Sequence, residues 1–207
     1  MTSVIFFIFM CFGGIVFSDL PEPYNHAMIL PYTPKGWYGN GAQLEALIKI
    51  KRVETIIEVG SWLGKSTMHM ASCLPQHGKV YAVDHWMGSV EHQPGMSAWS
   101  PEVFMLYEYF LSNVIQAGLA HKIIPIRMES LEAAKQLKVT ADLIYIDAAH
   151  DTASVYADLV AWYPHVKKGG IFCGDDWTWP TVRKAVEIFA KERNLHINAA
   201  GNFWQLL

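Results

Sequence analysis

The chain is poor in the features that mark several large classes of protein. Its three cysteines, Cys11, Cys73 and Cys173, are scattered over 207 residues. No disulfide framework and no metal spacing is visible among them, and Cys73 and Cys173, each in an apolar run, read as small core residues. Charged residues make up only 17% and the formal net charge is −3. That argues against non-specific nucleic-acid binding, which needs a basic face, and no nucleic-acid partner is expected. There is no internal repeat, low-complexity tract or N-x-S/T sequon. What is present is 52% hydrophobic residues over a length that suits one domain with a full core.

The N-terminus lacks something too. Residues 4–17 form a nearly unbroken apolar run closed by Ser18-Asp19, yet no Lys or Arg precedes it. Its length suits the core of a signal peptide better than a membrane span, and Val16 and Ser18 fit a small-residue cleavage site. Residues 1–18 are thus expected to be a signal peptide or membrane anchor, giving a secreted or membrane-associated protein. A buried arm on a cytoplasmic protein is the alternative. Residues 19–41, rich in Pro, Gly, Tyr and Asn, predict an extended arm pinned by Trp37 and Tyr38, and residues 42–207 form the main domain.

That domain is organised around residues 55–66, TIIEVGSWLGKS. An apolar β-branched run, a turn through Gly60 and Gly64 and a helix start make the first unit of an open α/β sheet. Ligands in such sheets sit at the carboxyl ends of the strands, where the strand order reverses. The spacing fits a dinucleotide G-x-G-x-x-G poorly, because Trp62 stands at the middle glycine. A P-loop would use Gly64-Lys65-Ser66, but Val59 replaces its first glycine and the loop is one residue short. The pattern Glu58-x-Gly60-x-x-x-Gly64 resembles motif I of the class I S-adenosylmethionine-dependent methyltransferases, in which the acid faces the amino-acid end of the cofactor.

Further units follow in order. Residues 79–84 predict a second strand ending in Asp84, at the distance where such folds place a ribose-binding acid. Residues 85–101 form a long loop carrying His85, Trp86, Met87, His92, Met96 and Trp99, expected to be a lid over the acceptor. Phe104, Tyr107, Leu111, Val114 and Ile115 mark an amphipathic helix. A third strand leads to Met128 and Ser130, and a fourth, ADLIYID, ends in Asp147. After the next helix, Lys168-Gly169-Gly170 ends the unit, a fifth strand closes on Asp175-Asp176, and the tail forms a hairpin about Gly201.

Asp147, Asp175 and Asp176 should meet at one carboxyl edge. Three clustered carboxylates repel one another, and a hard divalent ion such as Mg²⁺ resolves the conflict. The bland alternative is that these acids cap turns or face water.

The runs EVGSWLGKST, VDHWMGS, IYIDAAHD and GGIFCGDDW are similar to the metal-dependent O-methyltransferases, including the sugar O-methyltransferases and, more distantly, catechol O-methyltransferase. The resemblance covers roughly residues 37–207. It implies a Rossmann-like, mostly parallel seven-stranded sheet with a C-terminal antiparallel hairpin and helices on both faces. It implies S-adenosylmethionine held by Glu58, Gly60, Ser61, Gly64, Ser66, Asp84, His85, Met128, Ser130 and Asp147, with Met128 and Ser130 over the adenine. It also implies Mg²⁺ on Asp147, Asp175 and Asp176, and methyl transfer to a small hydroxylated acceptor. His150 stands where catechol enzymes place a catalytic Lys, so His150 is the candidate base, acting beside Asp147. Two other readings stay open: a nucleotide-phosphate binder using Gly64-Lys65-Ser66, and a secreted binding module without catalysis. A homo-oligomer is compatible with all three.

Overall fold

The computed structural model describes residues 19–89, 92, 94–96 and 99–207. The expected signal or anchor segment, and Cys11 with it, lies outside the described residues. Among the described residues no helix is long and apolar enough to cross a membrane.

Seven strands form one sheet: β1 Thr55–Val59, β2 Lys79–Asp84, β3 Ile123–Arg127, β4 Ala141–Ile146, β5 Val166–Gly174, β6 Ile197–Ala200 and β7 Phe203–Leu206. Their order is β3-β2-β1-β4-β5-β7-β6. The first five are parallel, and β7 runs antiparallel between β5 and β6. The Rossmann-like sheet read from the sequence is therefore present, including its hairpin. Successive strands run outward from β1 to β3, and the chain then returns to place β4 on the other side of β1. The reversal makes a crevice between the carboxyl ends of β1 and β4.

Helices cover both faces. Side chains alternate along a strand, so Ile56, Val80, Leu143 and Ile171 pack with Leu44, Met70, Phe110 and Val114 on one face. Ile57, Val83, Ile144 and Phe172 pack with Leu159, Trp162, Val186 and Phe189 on the other. The first face belongs to α1 Gly41–Lys51, α2 Lys65–Cys73 and α3 Leu106–Gln116, the second to α4 Ser130–Gln136, α5 Thr152–Trp162 and α6 Pro180–Arg193. Local chemistry sets the ends. Leu74, extended before Pro75, stops α2. The Asp151 side chain accepts from the Ala153 and Ser154 amides to cap α5, and Pro180 opens α6.

Four sequence readings need correction. Phe104 is not on the buried face of its helix but 71% exposed. Residues Pro101–Met105 form a 3₁₀ turn and α3 starts at Leu106, so the apolar stripe runs through Leu106, Phe110 and Val114. Lys168-Gly169-Gly170 does not end a unit: it lies inside β5, where the pairing with β4 shifts between Ala141 and Leu143. Gly169, at φ +77°, absorbs the irregularity. The arm is pinned by Tyr38 as expected, which packs against the core, and also by Tyr24, fully buried with its hydroxyl on the Ile123 carbonyl, whereas Trp37 is 72% exposed. Buried Ser112 and Asn113 of α3 bond the arm backbone at Leu30 and Thr33. Cys173 is a core residue as expected, but Cys73 is only half-buried.

Candidate active site

Backbone pairing beyond the strand ends stitches the crevice together. The Gly60 N–H donates to the Val83 carbonyl at 2.8 Å, the Asp147 N–H to Val59 at 2.8 Å and the Asp175 N–H to Ile146 at 3.0 Å. The residues that follow β1, β4 and β5 are thereby held side by side. Gly60 and Gly64 lie at φ +91° and +86°, in the region open to glycine. A Cβ on Gly60 would stand 2.0 Å from the Asp147 carbonyl oxygen, so this glycine is what lets the turn pass β4.

Glu58 organises the turn from beneath. It has no exposed surface, and its carboxyl group accepts from the hydroxyls of Ser61, Ser66 and Thr67. Burial pushes it up to about 7, against the opposing pull of those three hydroxyls. Of the residues expected around a cofactor, Glu58, Ser61 and Ser66 thus have their side chains turned into the loop. Ser130 is similarly committed, since its hydroxyl donates to Asp158 and accepts from Trp162 Nε1. The hydroxyl protons of Ser61, Ser66 and Ser130 are thus all committed within the protein. The phosphate reading fares no better. Besides the buried Ser66 hydroxyl, the Lys65 amine is drawn to the Gly36 carbonyl, 3.0 Å away.

Asp84 bridges two loops. Its Oδ2 accepts from the Ser61 and Trp62 amides at 2.9 Å each and its Oδ1 from the Trp86 amide at 2.7 Å. A carboxylate offers about four acceptor sites, so capacity for one further donor remains beside these three. Trp62 and Trp86 have φ of 47° and 53°, strained values for non-glycine residues. Trp86, expected in a lid, is instead 3% exposed, packed on Tyr107 and Phe110, and donates Nε1–H to the Trp62 carbonyl. His92 packs against Trp37 and Trp62, with ring centroids 5.8 and 4.3 Å away. His85 is partly exposed, with Nδ1 accepting from the Met87 amide at 2.9 Å. Met128 is half-buried and its amide bonds the Asp84 carbonyl at 3.0 Å, which sets it beside the ribose-type acid.

Asp147, Asp175 and Asp176 lie along one rim. Burial raises the Asp147 carboxyl well above the ordinary carboxylate range, and the charges of Asp175, Asp176 and Glu58 add to the effect. Asp175 is raised as well, by burial and by Asp176. The three side chains share the rim without converging on a point: among the described residues, the group of three whose donor atoms all come within 4.8 Å is Glu45, His69 and Cys73. Asp176 sits at φ +61° and takes His150 Nε2 at 3.0 Å. The His150 ring stacks on Trp179 with centroids 4.7 Å apart.

Two residues escaped the sequence reading. The Tyr145 hydroxyl donates to Asp175 Oδ2 at 3.1 Å and accepts from Asn40 Nδ2 at 3.2 Å, deep in the sheet. A lone Tyr inside the aliphatic run of β4 was the available signal, because a buried phenol needs a polar partner. Asn40 gave none, being one of several polar residues in the arm.

Residues 57–177 match the protein family described as a methyltransferase domain. Caffeoyl-CoA O-methyltransferase 1 of Arabidopsis thaliana is 28% identical over 146 residues, covering 67% of this chain and 49% of that protein. A flavonoid 3',5'-methyltransferase of Vitis vinifera is 28% identical over 145 residues, covering 67% and 54%. The chain spans about half the length of these curated relatives. Among solved structures, an O-methyltransferase from Bacillus cereus in complex with SAH superposes with a TM-score of 0.63 at 18% identity, over 86% of this chain and 83% of that one. The strand order, the glycine turn at the reversal and a family match over more than half the residues agree, and the chain belongs to the methyltransferase-domain family.

Proposed function

We propose that this chain is an S-adenosylmethionine-dependent O-methyltransferase, assisted by a divalent cation, that acts on a small hydroxylated acceptor. The observation that carries the proposal is one rim holding the glycine turn, Asp84, three aspartates and His150. The cofactor supplies a methyl group already activated on a sulfonium sulfur. Gly60 and Gly64 let the backbone approach it, Asp84 has acceptor capacity left for a ribose hydroxyl, and Met128 beside Asp84 offers an apolar cover for the adenine.

Asp147, Asp175 and Asp176 suit a hard cation for a reason visible in their own chemistry. Their donors are all oxygen, and burial raises both Asp147 and Asp175, with the charges of Asp175 and Asp176 adding to the first and that of Asp176 to the second. Asp147, Asp175 and Asp176 would hold a doubly charged ion of the Mg²⁺ class, which would offset that repulsion and supply Lewis-acid polarisation of an acceptor hydroxyl. His150 then takes the hydroxyl proton as general base, and the Asp176 carboxylate stabilises the resulting imidazolium. Trp179 fixes the plane of the ring. Much of the rate would come from holding acceptor oxygen and methyl carbon in line.

The test is methyl transfer by the purified full chain from S-adenosylmethionine to a panel of catechols, phenols and polyols with Mg²⁺. Transfer is expected to vanish in EDTA and in Asp147→Ala. Failure of the protein to bind S-adenosylmethionine at millimolar concentration would end the enzyme reading, and full activity in chelator would end the metal's part in it.

A further inference from the structure

We propose that Glu45, His69 and Cys73 form a second metal site, separate from the aspartate rim and selective for a dication of the zinc and cobalt type. His69 and Cys73 are four residues apart on α2 and so project from one face. Glu45 of α1 reaches the same point. His69 Nε2 lies 3.9 Å from Glu45 Oε2 and 3.9 Å from Cys73 Sγ, and all three donors fall within 4.8 Å of one another. Around a tetrahedral zinc ion with ordinary bond lengths, neighbouring nitrogen, sulfur and oxygen donors stand about 3.4–3.6 Å apart. The two distances to His69 need to contract by only a few tenths of an ångström, and Glu45 and Cys73 start within 4.8 Å of each other.

The surroundings are those of a built site. Tyr38 Oη lies 2.7 Å from His69 Nδ1. A neutral phenol oxygen can accept from Nδ1–H. With an ion on Nε2, the proton would sit on Nδ1 and be donated to this phenol oxygen, the outer contact a metal-bound imidazole characteristically makes. Lys49 holds the other oxygen of Glu45, Oε1, and leaves Oε2 to the cluster. His69 and Glu45 are 31% and 42% exposed, so an ion can enter from solvent and a water can fill the fourth position.

The donor set decides the metal. Sulfur, nitrogen and one oxygen favour zinc-like ions over Mg²⁺, the reverse of the all-oxygen rim. Binding displaces the Cys73 thiol proton, so affinity falls with falling pH. An ion here would tie α1 to α2 and fix Tyr38 and Asn40, the residues through which the arm enters α1 and reaches Tyr145.

The experiment titrates the full chain, stripped with chelator and dialysed, with Co²⁺ in an excess of Mg²⁺. One thiolate-to-cobalt charge-transfer absorption should saturate at one ion per chain, disappear on adding Zn²⁺, and be absent from Cys73→Ser. Tyr38→Phe should weaken binding by about 10–100-fold. Glu45→Gln, at a more exposed position, should also weaken it with the circular dichroism spectrum unchanged. No such absorption from the folded full chain, an absorption that survives Cys73→Ser, or affinity unchanged in Glu45→Gln would overturn the proposal.

Discussion

Replacing Glu58 by Gln tests how the glycine turn is built. Two effects compete on this side chain. Three hydroxyls favour the charged carboxylate, whereas complete burial favours the neutral acid, and burial wins: the group moves from 4.5 up to about 7. At 1.36 kcal/mol per pH unit, that is about 3 kcal/mol. The sign follows from proton binding. The folded protein holds this proton more tightly than the unfolded chain, so the contribution is present in full below pH 4.5 and is lost as pH rises towards 7. Glu58→Gln removes the titrating group and keeps its shape. Wild-type stability minus variant stability should therefore fall by about 3 kcal/mol between those limits and be level on either side. Altered hydrogen bonds in the variant move the whole difference curve up or down without giving it this slope. Urea unfolding of both proteins in chelator, at closely spaced pH values, measures it. A difference that stays flat would show that the hydroxyls cancel the effect of burial, and one that rises with pH would show that they outweigh it.

Gly60→Ala should cost about 3 kcal/mol or more, because it combines a left-handed backbone with a clash on Asp147. Gly118→Ala, at φ +69° in open space, should cost roughly 1 kcal/mol, and thermal melting of the pair separates clash from strain. Tyr145→Phe should lose about 1–3 kcal/mol by leaving Asn40 and Asp175 short of a buried partner, seen as a lower urea midpoint. Phe104→Ser should fall within about 0.5 kcal/mol of wild type, since Phe104 faces solvent.

The strands were legible because short β-branched runs bounded by glycine, proline and aspartate have few other ways to satisfy their backbone. The acids that end those strands were legible for the same reason: each marks where an apolar run stops. The direction of a side chain at a turn was not. Glu58 and Asp84 look alike in the sequence, yet one is sealed under three hydroxyls and the other spans two loops at the rim. Spacing places a residue along the chain, whereas its hydrogen-bond partners come from whichever loops the sheet order brings beside it. Cys73 shows the same limit. In the linear pattern it is a small apolar residue, and only the packing of α1 against α2 brings Glu45 to the His69–Cys73 pair.

By itself, then, the sequence determined the alternation of strands and helices, the glycine turn and the acids at the strand ends, because these follow from local backbone chemistry and hydrophobic period. Tertiary structure alone decided that the carboxyl ends of β1 and β4 lie together, that His150 meets Asp176 and that Tyr145 links Asn40 to Asp175. Those contacts join residues far apart in the chain, and no local preference encodes which of them become neighbours.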